Sequence, residues 1–501
     1  MSRIGTYGAS QMYLSRLSAI QQRMSLEQIQ ITTEKKSTNY TGIAPDSNRL
    51  INMENEKARA QQFIKDNTLA STRMQAATVS MDGMEKNMKD FKKRLEDYAS
   101  TGSRNQQDIE QLQEWAFNSM VDLQSYLAAS VDGQYIFSGG RVATDPVNLP
   151  ANSHSAFQAI YDGNDHPYPT TRSAHMAEIS TTNADTGNLT FSTAGTITAA
   201  TAGSLSGIAV GSRVTVAGAA AANNQTYTVV GNTGTVLDVS RFTTEPAAAA
   251  VTFRWNDNNN SLTNAATGNL SISPGADTIT ATNAGSLAGL AVGTVFSISG
   301  SAAGNDGVYQ VKANTGTVLT IESTTVGANE AVAATLSSSS WYDGDTLQIQ
   351  QRIDTDRSVD LGVYASDPAF EKAFRAMGLI AQGVFGTAGG LENNMARIDQ
   401  ARFLIQDALS RNGTGVGPFG AEQAGDLESL QSQVGTTAKL ILEKNNKHAS
   451  FSGFLDVRIV DLENVDKTEA ITRLMDDKTA LEASYQTLSN VRSLSLLNYL
   501  K

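Results

Sequence analysis

Charged residues and methionine both become scarce in the middle of this chain, and that scarcity limits what the chain can fold into. Between Gly187 and Ser337 there are eleven charged residues, and methionine is absent from Ala177 to Ala376. The same stretch is rich in Thr, Ser, Gly, Ala and Val, which favour strands and turns. Its flanks are rich in Gln, Glu, Lys, Leu and Met, which favour helix. The expectation is an α+β protein in which one β region is inserted between two helical arms.

The β region repeats itself. Thr186-Gly-Asn-Leu189 recurs as Thr267-Gly-Asn-Leu270, and Ala202-Gly-Ser-Leu205 recurs as Ala284-Gly-Ser-Leu287. Asn232-Thr-Gly-Thr-Val-Leu237 recurs as Asn314-Thr-Gly-Thr-Val-Leu319, and Tyr227 aligns with Tyr309. The motifs keep their order and nearly their spacing, at a period too long for a solenoid rung and suited to a small β-sandwich or barrel. Two tandem all-β modules follow, at 179–260 and 261–337.

The arms have a different period. From Ala60 to Tyr98, residues fall in pairs three apart that recur every seven: Ala60/Phe63, Asn67/Ala70, Met74/Ala77, Met81/Met84, Met88/Phe91 and Leu95/Tyr98. Such a heptad keeps one seam turned to partner helices. Phe63, Met74, Met81, Met84, Met88, Phe91, Leu95 and Tyr98 are the expected bundle seam, and Asn67 is its polar break. A methionine-lined peptide groove is the functional alternative to a packed bundle core. A second helix is expected from about Gln106 to Val131, stopped by Asp132-Gly133.

Beyond the β region, Asp367-Pro368 reads as an N-cap with proline in the first turn. Helical patterns run to about Phe385, from Leu391 to Arg411, and from Ala421 to about Leu455. Asp466-Lys-Thr-Glu469 has capping-box spacing. It opens a helix carrying Ile471, Leu474, Leu481, Tyr485, Leu488 and Val491, and the tail Leu494, Leu496, Leu497, Tyr499, Leu500 is apolar almost all round. Near the other end, Tyr13, Leu17, Ile20, Met24 and Ile31 follow a 3-4 spacing before Gly42-Ile-Ala-Pro45. Apolar helices at both ends suit burial between subunits better than exposure on a monomer. The terminal helices, 1–45 with 456–501, are therefore expected to form a discontinuous coiled-coil core between copies. The bundle domain would span 46–178 with 338–455.

Several functions are disfavoured. The 38 Lys and Arg against 50 Asp and Glu leave a net charge of −12, which argues against general nucleic-acid binding. The first thirty residues lack a secretory signal pattern, and no apolar run reaches bilayer-spanning length. Without cysteine there is no disulfide framework, zinc–thiolate site or thiol nucleophile. His154, His166 and His175 lie near Asp162 and Asp165 but lack metal-binding spacing, and His448 stands apart. Gly415-Val-Gly417-Pro-Phe-Gly420 matches GxGxxG literally but follows a helix, so it reads as a loop. Asp343/Asp345 and Asp476/Asp477 read as a turn and a solvated helix face. No catalytic or cofactor residue is expected, and the chain reads as structural. A surface adhesin or carbohydrate-binding module is the alternative from another class, suggested by polar loops such as Asp257-Asn-Asn-Asn260.

Some of these residues resemble the flagellin-like family of the bacterial flagellum. Lys35-Lys36, Pro45-Asp46-Ser47 and Glu56-Lys-Ala-Arg-Ala-Gln-Gln-Phe-Ile-Lys-Asp-Asn67 are similar to the family's N-terminal helices. Val465–Ala470, Leu481–Tyr485 and Ser493–Leu500 are similar to its C-terminal helix. Gly133-Gln-Tyr-Ile-Phe-Ser-Gly139, with Tyr342-Asp-Gly-Asp345 and Gln351-Arg-Ile-Asp354, resembles the members that join hook to filament, and the Asn-Asp-Ala-Ala stretch of filament flagellins is absent. The resemblance implies coaxial terminal helices, a surrounding helical domain and outward β modules. It implies copies of itself, a neighbouring hook-associated protein, flagellin and a cytosolic export chaperone as partners, with no nucleic acid or membrane insertion. It also implies an extracellular place on the flagellum, reached by type III export without signal cleavage. A filament flagellin is the alternative within the family.

Overall fold

Long helices at both ends of the chain and short antiparallel strands in its middle make this an α+β protein. The long helices are α1 (Ser2–Thr33), α2 (Ser47–Ser100), α3 (Gln106–Leu127), α4 (Pro368–Ala381), α5 (Met395–Leu409), α6 (Leu427–Glu463) and α7 (Lys467–Leu497). The computed structural model describes residues 2–497 except 103, 164–165, 241–244, 249–251, 256–259, 274–275, 291, 293–294, 300–304, 306, 322–329, 333–334, 339, 384–390, 392–394, 412–415 and 418–419. Two compact units divide the chain. One comprises Met1–Leu69, Ile353–Arg357 and Leu440–Lys501, and the other Ala70–Arg352 and Ser358–Lys439.

In the second unit, the heptad residues of α2 from Ala70 to Tyr98 are all buried, Met81, Met84, Met88, Phe91 and Leu95 completely. Phe91 stacks on Trp115 of α3 with ring centroids 5.6 Å apart, and Arg94 lies 4.5 Å over the same indole. At the start of α6, Gln431 donates to Asp82 at 3.2 Å and Glu85 at 3.1 Å. Asn105 and Asp108 form the capping box that starts α3.

The sequence reading carried α3 to Val131, but the helix ends at Leu127. Asp132 and Gly133 have φ of 52° and 73°, and they join the paired strands Ser130–Val131 and Gln134–Tyr135. Positive φ at both central residues is the two-residue hairpin turn that Asp-Gly favours. The strands therefore take the residues the helix would have used.

This hairpin leads into Gly133–Gly139, which meets the Tyr342–Asp345 segment two hundred residues later. Gly139 has φ of 67°, and a Cβ there would stand 2.1 Å from the Asp345 carbonyl oxygen. The Gly140 amide donates to the Asp345 carboxylate at 2.6 Å, and the Asp345 amide donates to the Ser138 carbonyl at 3.0 Å. Phe137 is fully buried, edge-on to Phe370 of α4. The Asp343/Asp345 pair, expected to be a turn, lies instead in an irregular segment whose amides pair with Pro146 and Ser138, and Asp345 is the bracket that holds this close approach.

Both β repeats build the same hydrogen bonds from the same residues. The Asn232 amide donates to the carbonyls of Leu205 at 2.8 Å and Ile208 at 2.6 Å, and Asn314 does the same to Leu287 and Leu290 at the same distances. Each asparagine also accepts from the amide of a glycine two residues on, Gly234 or Gly316. Tyr227 and Tyr309 donate to the carbonyls of Asn223 and Asn305. The recurring motifs are turn and core residues, which explains their persistence without a ligand.

The strand pairing departs from a tandem arrangement. The first module has a five-stranded sheet ordered 330–332, 189–192, 196–199, 236–238, 231–232, and a four-stranded sheet ordered 179–180, 335–338, 213–217, 226–228. Its last strands, Glu330–Val332 and Thr335–Ser338, follow the second module in the chain. The second module is one eight-stranded sheet ordered 245–248, 270–273, 278–281, 318–321, 307–314, 295–299, 252–255, 260–262. It is a single sheet because Gly307–Asn314 runs through where the first repeat breaks into Thr226–Thr228 and Gly231–Asn232.

Each module is closed by the ribbon that follows the other repeat's core strands. Glu330 and Glu245 sit opposite the equivalent Phe191 and Ile272, and Leu336 and Phe253 sit opposite Val216 and Ile298. The second module is therefore nested inside the first, and the strand pairing divides the chain near 240 and 330, not at 260. Sequence similarity between repeats cannot reveal this, because the two slots have matching register.

Two measurements check these features. Gly139→Ala is expected to lower the unfolding free energy by about 1–3 kcal/mol from left-handed backbone strain alone, while Gly102→Ala, with nothing within 4 Å, stays near neutral in denaturant titration. Thr190 and Ala331 are register partners, so Thr190→Cys with Ala331→Cys is expected to form an intrachain disulfide on oxidation. Thr190→Cys with Ala247→Cys is expected to stay reduced; the opposite result would mean each repeat closes on itself.

Candidate self-assembly surface

In the first unit, α1 and α7 lie antiparallel. Leu17 is 6% exposed, and Ile20, Met24 and Ile31 are half-buried on the same row of α1. Ala470 is fully buried, and Leu474, Leu481 and Leu488 are half-buried on α7. Tyr13, Ile471 and Tyr485 stay exposed, at 38%, 40% and 49%. Of the ten described residues expected to pack between subunits, seven are buried or half-buried in the pair and these three stay exposed, Tyr485 with its hydroxyl accepting from Gln21 of α1. The side chains of Val491, Leu494, Leu496 and Leu497, and all of Tyr499 and Leu500, lie outside the described residues.

Polar contacts set the register of this pair. Arg23 grips Asp477 with Nε and a terminal nitrogen, at 2.8 and 2.7 Å, and Gln21 donates to the Tyr485 hydroxyl at 2.9 Å. The hydrogen bonds from Arg23 hold the Asp477 carboxyl below its ordinary range. The sequence placed Asp477 on a solvated face. Nothing local marks it, because its partner is 454 residues away.

At the base of the pair the two linkers clasp each other. Lys35 bridges Asn464 in antiparallel fashion, the Lys36 amide donates to the Glu463 carbonyl at 2.7 Å, and the Val465 amide donates to the Glu34 carbonyl at 3.0 Å. Side chains double the clasp through Lys35–Glu463 at 2.9 Å and Lys467–Glu34 at 2.6 Å. The Lys36 ammonium donates to the Asp461 and Leu462 carbonyls, where a cation complements the C-terminal end of α6. Glu34 itself has φ of 63°, an uncommon conformation for a residue with a side chain.

The same unit explains the polar break in the heptad. The Asn67 amide donates to the Ile353 carbonyl at 3.1 Å, and His448 Nε2 lies 3.1 Å from the same oxygen and must carry its proton there. Phe63, half-buried, stacks on the His448 ring at 5.0 Å. Asn67 and His448 thus hold the tip of the hairpin formed by Gln350–Asp354 and Arg357–Asp360.

Large apolar residues remain exposed on these elements: Met12, Leu14, Leu26 and Ile29 on α1, Phe451, Phe454, Val457 and Val460 on α6, and Met475 on α7. Many large apolar groups on one set of helices is what an unassembled interface presents.

The second unit holds the constellation closest to an enzyme's. His175 Nδ1 lies 2.8 Å from Glu371, and His175 Nε2 lies 2.8 Å from the Tyr168 hydroxyl. A carboxylate can only accept, so the neutral ring carries its proton on Nδ1 and takes the tyrosine proton at Nε2. Arg375 donates to Glu371 at 2.9 and 3.1 Å, and to Glu422 and the Thr170 carbonyl. Burial alone would raise the Glu371 carboxyl; hydrogen bonds from His175 and Arg375 overcome it and hold it down to about 2. Burial lowers His175, which keeps it neutral. Glu371 and Arg375 are wholly buried, so no substrate reaches them, and the network fastens α4 to its surroundings.

The other histidines are apart from it. His154 lies 3.0 Å from the Ala381 carbonyl, and His166 lies 3.1 Å from the Thr228 hydroxyl. Asp165 lies outside the described residues, among which no cluster of three or more potential ligands could hold a metal. Val416–Gly417 and Gly420–Ala421 pair as a two-residue hairpin where the sequence suggested a plain loop. No helix among the described residues is long and apolar enough to cross a membrane.

Residues 421–500, which include α6 and α7, match the family described as Bacterial flagellin C-terminal helical region. No curated protein matches the chain. Similar solved structures include the flagellar junction protein FlgL from Legionella pneumophila, 11% identical over 81% of this chain and 99% of that one, with a TM-score of 0.23. Another is flagellar hook associated protein-3 from Legionella pneumophila, 11% identical over 90% and 99%, with a TM-score of 0.21. Xanthomonas campestris FlgL is 9% identical over 86% and 98%, also at 0.21. The matched residues supply one helix of the α1–α7 pair and most of the exposed apolar residues of this unit.

Glu371→Gln is expected to destabilise the protein by about 1–3 kcal/mol, because Arg375 loses one of its two carboxylate partners and keeps Glu422; denaturant unfolding measures it. The depressed His175 value also sets a sign. Its contribution is complete above the ordinary value of 6.5 and is lost as pH falls through the lower folded value. Stability is expected to decline with acidification below 6.5, with a shallower slope in His175→Gln.

Proposed function

We propose that this protein is a structural subunit of the bacterial flagellum that joins hook to filament. The observation that carries the reading is the flagellin C-terminal region at 421–500, whose helix α7 pairs with α1. In this reading the outward residues Tyr13, Ile471 and Tyr485, with Met12, Leu26, Ile29 and Met475, are buried by neighbouring copies, as are the tail residues Val491, Leu494, Leu497 and Leu500. The inward residues Leu17, Ile20, Met24, Ile31, Leu474, Leu481 and Leu488 keep the pair together. Phe63, Met74, Met81, Met84, Met88, Phe91, Leu95 and Tyr98 form the seam of the helical frame. The subunit acts without catalysis, outside the cell. It reaches the flagellum through the export channel with a cytosolic chaperone, and it contacts a hook-associated protein on one side and flagellin on the other. The joining of Gly133–Gly139 to Tyr342–Asp345 supports a junction role, since those segments carry that resemblance. The name of the matched family favours a second reading, a filament flagellin.

Burial of a Leu-sized side chain contributes about 1.5–3 kcal/mol. Ile29→Asp with Met475→Asp is therefore expected to abolish incorporation into flagella, while thermal unfolding of the monomer changes little. Normal incorporation of this variant would overturn the assembly reading. Immunogold labelling is expected to mark a short band at the end of the hook; labelling along the whole filament would decide for flagellin.

A further inference from the structure

Glu27 is the one charged residue of α1 that the described structure buries, at 9% exposure. It occupies the row of Leu17, Ile20, Met24 and Ile31, where an apolar residue would bury at no electrostatic cost. Its Oε2 is enclosed and has no hydrogen-bond partner. The nearby cations are engaged elsewhere: Arg23, on its own helix, grips Asp477, and Arg473, on α7, pairs with Glu469 at 3.6 Å. The facing helix also brings Asp476 and Asp477 toward it.

A buried carboxylate without a partner costs stability unless it takes up a proton or gains a cation. We propose that Glu27 is a proton-controlled specificity residue of the terminal helix pair: ionised, it loosens the α1–α7 seam, and protonated, it lets the seam close. The inference rests on the assembly reading only for its consequence, that pairing strength within a copy is set against pairing between copies.

Burial first, and the charge of Asp477 second, raise the Glu27 carboxyl above its ordinary value of 4.5. Its penalty is therefore absent below 4.5 and grows as pH rises through the raised folded value. Asp477 works the other way. Its grip on Arg23 is complete above 3.8 and is lost as pH falls through the lower folded value. The two effects leave a window of tightest pairing just below the raised Glu27 value, where Glu27 is protonated and Asp477 still charged.

Amide hydrogen exchange of the full-length protein tests this, with rates over 15–31 and 470–488 corrected for intrinsic pH dependence. Wild-type protection is expected to rise as pH falls from neutral toward 4.5, by up to about tenfold for each unit by which the carboxyl is raised. Glu27→Gln is expected to be more protected than wild type at neutral pH and to lose the rise. Glu27→Leu is expected to be higher still and equally flat. A wild type without the rise, or a Glu27→Gln that keeps it, would overturn the proposal. Exchange reads the monomer, so a failure to incorporate into flagella would count against the assembly reading and leave this result standing.

Discussion

Every level of this structure depends on the outgoing chain meeting the returning one. In the first unit Lys35 pairs with Asn464, and Asn67 holds Ile353. In the second, Ser138 bridges Tyr364, Val147 bridges Tyr342, and Ser180 pairs with Ser337. Within each unit the rungs are short antiparallel contacts between segments far apart in sequence. Anything inserted between two paired segments must begin and end at neighbouring residues. Such a plan defers much of the packing until distant segments arrive, which explains why the rungs are reinforced by buried or paired polar groups.

Local periodicity made the helical frame legible. The heptad from Ala60 to Tyr98 needs no partner to be recognised, and the structure buries that row apart from the half-buried Phe63. The caps were legible for the same reason: Asp367 accepts from the Ala369 amide, and Asp466 from Thr468 and Glu469, within one turn of chain. The α+β class and the β insertion followed from composition. What remained hidden is non-local. Arg23 and Asp477 are ordinary surface residues until the ends meet, and Asn67 looks like a flaw in a seam until the Ile353 carbonyl is placed against it. The terminal helices bury one face against each other and leave another outward, and spacing alone does not say which.

The buried ions separate two uses of charge. Glu371, Arg375 and Glu422 saturate one another, so their cost is offset where it arises, and they fix α4 without offering a reactive group. Glu27 is the reverse case, a single carboxylate whose neighbours are already taken. A network of the first kind stabilises one arrangement over its alternatives. A lone charge of the second kind leaves the strength of its interface open to adjustment.

The exchange of closing ribbons between the β modules makes them unequal in what each needs to be complete. The second module is contiguous in sequence, from Glu245 to Ile321, and can complete its sheet alone. The first is complete only with Glu330–Ser338, which the inner module separates from the rest of its sheets in sequence. The inner domain is a compact spacer that shortens the loop the outer one must close.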